Sequence, residues 1–327
     1  MTFSEAVTLI HGAKTPQELF GSEPARRYRQ LIKICHPDRI LLRDSPNHAK
    51  AVLATAKLNE LYAQLSNPVP VKKQKVGKWT VDSPLCKGDI ADLHNVSWDT
   101  PAVLKVARAE SDNDLLDREK ATLQHLHKEA KTNNYIRYVP SLLDSLIVGD
   151  CRANVLSVAQ DCYTLKQLKE LIGPIEPRHI VWMMNRLLSL LGYIHRCGVV
   201  HSQLTPSHLL YRPQDHGLVV VGWGCSLRHD KAQNVPYMSK EWKALYPAEV
   251  HHGHYALPQT DILMAFRSIY WAGTMPKRFD DLYIYCASDT SPKSRPEDAW
   301  QIQERWKKLA EEEFGPKKFV EMHVPVS

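Results

Sequence analysis

Three stretches hold side chains whose types and spacing could do chemistry. His201-Ser202-Gln203-Leu204-Thr205-Pro206-Ser207-His208-Leu209-Leu210 gathers two histidines, hydroxyls and an amide. It contains no carboxylate, and Gln203 cannot accept a proton at neutral pH as an Asp there would. His36-Pro37-Asp38 is a second candidate, and by itself also reads as a turn with a helix-capping Asp. His251-His252-Gly253-His254 offers ring nitrogens, but nothing nearby supplies a fourth ligand at recognisable spacing. Loop histidines are the simpler reading there. His36 with Cys35 also lacks further ligands, so no metal site is expected.

A chain of 327 residues, 43% apolar and 24% charged, has enough material for two domains with a sizeable core. The seven cysteines are scattered without a C-x-x-C pair, as reduced thiols in a cytosolic protein would be. No apolar run is long enough to span a bilayer, and Met1-Thr2-Phe3-Ser4-Glu5 lacks a signal-peptide pattern. A cytoplasmic protein that avoids membranes is expected. Charge is uneven: residues 1–76 carry 12 Lys and Arg against 6 Asp and Glu, while the remainder balances at 30 each. That asymmetry favours an acidic partner for the N-terminal part. Nucleic acid is the alternative partner, but the basic residues lack interleaved aromatics or a recognition motif.

The elements that would position these residues follow from periodicity. Phe3, Val7 and Ile10 predict a first short helix, broken by Gly12 and Thr15-Pro16. Ser22 as N-cap with an early Pro24 starts a second helix. It buries Tyr28, Leu31 and Ile32 and turns Arg26, Arg27, Arg29 and Lys33 to water. Pro37 stops that helix. A third runs from about Asn47 to Leu65, with Val52, Leu53, Ala56, Leu61 and Leu65 as its apolar positions. Val69-Pro70-Val71-Lys72-Lys73-Gln74-Lys75 then reads as a solvated linker. Tyr28-Arg29-Gln30-Leu31 before His36-Pro37-Asp38-Arg39, with Leu58-Asn59-Glu60-Leu61-Tyr62 after it, resembles the J domain of DnaJ-type co-chaperones. The resemblance implies docking on a DnaK-type chaperone through His36, Pro37 and Asp38, with Arg26, Arg27, Arg29, Lys33 and Arg39 as the basic contacts.

The remainder carries a second pattern. Leu85-Cys86-Lys87-Gly88-Asp89-Ile90-Ala91 is a loop with one glycine; Ala102-Val103-Leu104-Lys105-Val106 is a strand ending near a Lys; Asn113 to His127 is a helix carrying Glu119. Val155 to Ala159 reads as a strand, and Val181 to His195 as a long apolar helix ahead of His201. The order resembles the protein-kinase fold. The resemblance places Gly88 in the phosphate-covering loop and pairs Lys105 with Glu119. It puts Gln203 at the catalytic Asp, Thr205 at the catalytic-loop Lys, His208 at the metal-binding Asn and Gly222-Trp223-Gly224 at D-F-G. Trp223, Glu249, Asp261 and Arg295 match packing and anchoring positions. Cys86 and Ala91 replace two loop glycines, so backbone N–H groups should cradle phosphates less closely.

The expected class is α+β: a three-helix J domain (1–70), a basic linker (71–78), a β-rich kinase-like lobe (79–160), an α-rich lobe (161–315) and a tail (316–327). The expected function is a co-chaperone adaptor that stimulates a DnaK-type ATPase while a non-catalytic kinase-like domain binds a protein client or regulator. No catalytic residue and no cofactor are expected. Gly88, Lys105 and Glu119 are the residues a nucleotide such as ATP would use. The alternatives are an atypical active kinase or nucleotide-gated switch using Lys105 and Glu119, and a nucleic-acid binder using the basic N-terminal part.

Overall fold

The computed structural model describes residues 2–13, 15–21, 24–37, 46–65, 74–130, 134–231 and 233–324. The chain divides into two compact units, Met1–Lys73 and Gln74–Ser327.

The first unit is helical: α1 (Phe3–Gly12), α2 (Pro16–Phe20), α3 (Pro24–Cys35) and α4 (Pro46–Leu65). Thr2 caps α1 reciprocally with Glu5, its hydroxyl accepting the Glu5 N–H at 3.3 Å while the Glu5 carboxylate accepts the Thr2 N–H at 2.7 Å. The stretch expected to be only a break contains α2. Thr15 and Glu18 form the same reciprocal cap at 3.4 Å in both directions, and Pro16 stands first in the helix. Leu19 and Phe20 are thereby buried with Ala6, Ile10, Leu31, Cys35, Ala54, Leu58 and Leu61.

The apolar face of α4 differs from the one expected. Ala51, Ala54, Leu58 and Leu61 face the core, whereas Val52 is 45% and Leu53 61% exposed, and Ala56 is exposed too. Small alanines at helical spacing allow close approach, which a count of large side chains overlooks. Tyr28 stacks on Tyr62 at 4.2 Å between ring centres and donates a hydrogen bond to Asn59 at 2.8 Å. The turn after α3 is tied to α4 by the Thr55 hydroxyl, which donates to the Cys35 carbonyl at 3.0 Å. His36 is exposed at that turn, with Pro37 beside it. Asp38, Arg39 and the expected N-cap Ser22 lie outside the described residues.

The second unit begins with a six-stranded antiparallel sheet of order β1-β2-β3-β4-β6-β5. Its strands are β1 (Lys75–Val76), β2 (Trp79–Lys87), β3 (Ala91–Ser97), β4 (Pro101–Ala107), β5 (Leu142–Val148) and β6 (Cys151–Ser157). Residues 75 and 76, expected in the linker, pair with Thr80 and Trp79 because Gly77, at φ +59°, permits the tight turn. Trp79, Val96, Ala102, Leu104, Ala153 and Val155 form the core on one face. Helix α5 (Asn113–Glu129) buries Leu116, Glu119, Leu123 and Leu126, so one carboxylate sits inside an otherwise apolar stripe.

A larger helical part follows. It comprises β7 (Tyr163–Thr164), α6 (Leu165–Ile172), α7 (Pro177–Arg196), β8 (Val199–Val200), β9 (Leu209–Arg212), β10 (Gly217–Val220), β11 (Leu227–Arg228), α8 (Ala248–His251), α9 (Pro258–Ala272), α10 (Asp280–Ala287) and α11 (Ala299–Phe314). The core packs Leu187, Leu188 and Leu191 of α7 with Phe266, Phe279, Trp306 and Trp223. Asp298 caps α11, accepting from the Trp300 and Gln301 N–H groups at 2.9 and 3.2 Å. At its other end Glu312 and Glu313 accept from Arg278 at 3.2 and 3.1 Å. Glu249 and Arg295 form a buried ion pair, and Glu249 also accepts from the Thr260 hydroxyl at 3.1 Å. Among the described residues no helix is long and apolar enough to cross a membrane.

Candidate functional site

The cleft between sheet and helices is built around Lys105. Strand β4 alternates, so Leu104 enters the sheet core while Lys105 emerges on the face that α5 covers. Its Nζ lies 2.7 Å from Glu119 Oε1. Glu119 is fully buried, and its second oxygen accepts from Asn154 Nδ2 at 3.2 Å. Asn154 also donates to the Leu116 carbonyl at 2.9 Å and so ties β6 to α5. A buried carboxylate holds its charge only when paired and hydrogen-bonded, and both conditions are met here. Helix α5 is held from below as well. The Thr122 and Ser226 hydroxyls lie 2.7 Å apart, and a Cβ on Gly224 would stand 3.1 Å from the Leu115 carbonyl.

Gly88 closes the β2–β3 turn. Its N–H donates to the Ala91 carbonyl at 2.9 Å, and any Cβ would stand 2.8 Å from that oxygen. The Arg108 guanidinium donates to the Gly88 carbonyl at 3.3 Å and the Arg108 N–H to that of Ile90 at 3.1 Å. The glycine therefore serves the turn itself, whatever it does for phosphates.

The His201–Leu210 stretch hangs on Asp261 at the start of α9. Asp261 is fully buried, and its two oxygens accept the His201 and Ser202 N–H groups at 2.7 Å each, with His195 Nε2 at 3.0 Å. That grip holds Ser202 at φ +60°. His201 Nε2 donates to the Val221 carbonyl at 3.0 Å, leaving Nδ1 to accept the Gln203 N–H at 3.2 Å. Burial lowers its pKa to about 4, so the ring is neutral at pH 7. Trp223 is fully buried, meets His201 edge-on at 4.6 Å and donates to the Val220 carbonyl at 2.8 Å.

His208 and Gly222 exclude any larger side chain at 222. His208 Nδ1 donates to the Gln203 carbonyl at 2.8 Å and lies 3.2 Å from the Thr205 hydroxyl. A Cβ on Gly222 would fall 2.6 Å from the His208 ring, and Gly222 sits at φ +84°. Magnesium requires oxygen ligands in a near-octahedral arrangement. An imidazole and a bare glycine at the two positions where a kinase holds it do not fit that ion. Among the described residues no group of three or more His, Cys, Asp or Glu gathers at metal-binding distance.

Two contacts in the cleft were absent from the sequence reading. Asp89, next to Gly88, accepts from the Ser239 hydroxyl at 3.0 Å, and Gln203 Nε2 donates to the Tyr237 carbonyl at 3.3 Å. A carboxylate beside the loop glycine was the available signal for the first; nothing marked Asn154 or Ser239.

The buried rings make the fold acid-sensitive. His216, like His201, has a pKa lowered to about 4, chiefly by burial; its Nε2 lies 2.8 Å from His179 Nδ1, and Trp182 stacks on it. Both are depressed in the fold, so the unfolded chain binds more protons between about pH 6.5 and 4, and stability falls as pH drops through that window. We expect about 1 kcal/mol lost per pH unit for each ring. Urea midpoints from pH 7 to 4 measure it, and a flat profile would refute it. Burial lowers His179 and His208 in the same direction, so His216→Phe should reduce the slope without abolishing it.

No protein-family model matches the chain. The serine/threonine-protein kinase pkn3 of Myxococcus xanthus is 25% identical over 130 residues, 39% of this chain and 23% of that protein. Serine/threonine-protein kinase F of Synechocystis sp. is 24% identical over 114 residues, 34% of this chain and 23% of that protein. The chain thus spans about a quarter of the curated relatives' length. Crystal structures of the Mycobacterium tuberculosis PknI kinase domain, unmutated and as a point mutant, superpose with a TM-score of 0.55 at 12% and 13% identity, covering 73% of this chain and 98% of theirs. The fold is that of a protein kinase.

These findings correct the functional expectation. The co-chaperone adaptor with a non-catalytic kinase-like domain is overturned: the relatives are serine/threonine kinases, and the neighbours are a kinase domain. They offer no J-domain counterpart for the first unit. The His201–His208 stretch carries no Asp or Asn, while Lys105 pairs with Glu119, Asp261 holds the His201 N–H and Trp223 meets His201 edge-on.

Proposed function

We propose that residues 74–327 form an atypical protein-kinase domain that binds ATP through Lys105 and transfers its γ-phosphoryl to a protein hydroxyl. The observation that carries this reading is the 2.7 Å pair of Lys105 with a fully buried Glu119, steadied by Asn154. A Lys so held presents a fixed ammonium to phosphate oxygens, and phosphoryl transfer is mainly positioning and charge stabilisation. Kinase relatives and a kinase fold support the assignment.

The test is a thermal-shift titration with ATP, followed by assay of γ-phosphate transfer to protein. ATP should raise the melting temperature of the wild-type protein to a similar extent with and without magnesium, since His208 and Gly222 offer the ion no oxygen. Lys105→Ala should abolish the shift and destabilise the fold by about 3–5 kcal/mol, because Glu119 is left buried and unpaired. Lys105→Arg, which keeps the charge, separates lost folding from lost nucleotide. Absence of any ATP shift in the wild-type protein refutes the reading.

For residues 1–73 we propose a J-domain-like helical module. The turn at His36 and Pro37 between α3 and α4, and the exposed Arg26, Arg29 and Lys33, support it. An acidic protein surface is its proposed partner.

A further inference from the structure

The cleft has lost its usual proton acceptor, yet one carboxylate in it already holds a hydroxyl. Asp89 stands at the tip of the β2–β3 turn, which Gly88 and Arg108 fix from both sides. Its Oδ2 accepts from Ser239 Oγ at 3.0 Å, across 150 residues of chain. Ser239 is 5% exposed, and its N–H donates to the Tyr246 hydroxyl at 3.2 Å. Two residues earlier, the Tyr237 carbonyl accepts from Gln203 Nε2 at 3.3 Å and from Cys225 Sγ at 3.7 Å. Ser239 is therefore held between the loop above, through Asp89, and the His201–Leu210 floor, through the Gln203 grip on its own strand of chain. Gln203 of that floor and Asp89 of the loop thus grip one short segment, residues 237–239, from its two sides.

Gln203 donates its amide and has no basic oxygen to offer a proton. Asp89 carries the carboxylate that Gln203 lacks and already accepts the hydrogen of a serine. We infer that Asp89 is the proton-accepting catalytic residue of this domain and that Ser239 is the hydroxyl it activates, phosphorylated within its own chain. The inference rests on the ATP-binding reading above. In the step, Ser239 Oγ forms a bond to the γ-phosphorus of ATP. The bond from that phosphorus to the β–γ bridging oxygen breaks, and ADP leaves with the electron pair. The serine proton passes to the Asp89 carboxylate and then to water. The product sets a phosphate dianion beside Asp89, so like charges replace the 3.0 Å hydrogen bond and part the loop from residues 237–239.

The experiment incubates the full-length protein with γ-labelled ATP and maps the site by mass spectrometry. Ser239 should carry the label, with a rate constant independent of protein concentration, as a reaction within one chain requires. Asp89→Asn keeps an oxygen to accept the hydrogen bond but loses basicity, so the rate should fall about 100-fold. Asp89→Glu should recover part of that loss, and Ser239→Thr should retain label where Ser239→Ala loses it. Circular dichroism of each variant reports folding. Label on another residue with an undiminished Asp89→Asn rate overturns the inference and leaves the ATP reading standing. So does an ATP thermal shift with no label anywhere, as regards this step. No ATP shift in the wild-type protein overturns both.

Discussion

Asp261→Ala is expected to destabilise residues 74–327 by on the order of 4 kcal/mol, a large fraction of the 5–15 kcal/mol that holds a domain together. Three donors converge on this one carboxylate: the His201 and Ser202 N–H groups and His195 Nε2. All lie in the interior, where each orphaned donor costs its full desolvation, about 1–3 kcal/mol. The truncation also leaves a cavity at the head of α9, and it removes the grip that holds Ser202 at positive φ. Asp261→Asn should cost about half as much, since its carboxamide oxygen can accept one N–H while its NH2 opposes the other. Urea denaturation followed by tryptophan fluorescence reads both, because Trp223 sits on His201. An unchanged midpoint for Asp261→Ala would mean that the His201–Leu210 stretch is not anchored as described.

The second large effect concerns His208 and Gly222 together. Gly222→Asp alone should lower stability by about 2–3 kcal/mol. Its Cβ would fall 2.6 Å from the His208 ring, and the backbone at φ +84° adds its own strain. His208→Asn removes the ring and brings in an oxygen. The double variant should recover about 1–2 kcal/mol relative to the sum of the singles, the coupling expected of residues in contact. It should also gain an ATP thermal shift that grows with magnesium, because a carboxylate and a carboxamide oxygen would stand where hard-cation ligands are needed. Additive destabilisation would show that the ring and the glycine are not mutually adjusted. A shift still indifferent to magnesium would show that the two positions do not suffice to hold the ion.

The parts of this protein legible in its sequence were those fixed by one residue type at one place. Lys105, Glu119, Asp261 and Trp223 each have a position along the chain that a kinase frame makes meaningful, and in the structure each meets a specific partner. Glu249 and Arg295 are also brought together. Less legible was anything set by packing. Helix α4 buries Ala51 and Ala54 and exposes Val52 and Leu53, a choice made by the spacing of neighbouring helices rather than by hydrophobicity. Helix α2 carried its own cap at Thr15 and Glu18, but a Thr-Pro pair reads equally as a stop. Distant contacts outside the kinase frame were not legible. Asp89 and Ser239 are 150 positions apart, and each is unremarkable by its neighbours. The greatest misreading was inferential. Missing carboxylates at Gln203 and Gly222 pointed to a non-catalytic domain, whereas the relatives are serine/threonine kinases.

Helix α5 and the turn at Trp223–Cys225 are packed directly on one another. Gly224 brings its bare Cα against the Leu115 carbonyl, and Thr122 meets Ser226. A displacement of the turn must therefore be transmitted to the helix, and a rotation of the helix to the turn. Glu119 rides on that helix while Lys105 belongs to the sheet. The separation of those two charges acts as a gauge of the state of the loop beneath His201, so one label on each would report motion at a site that neither of them touches.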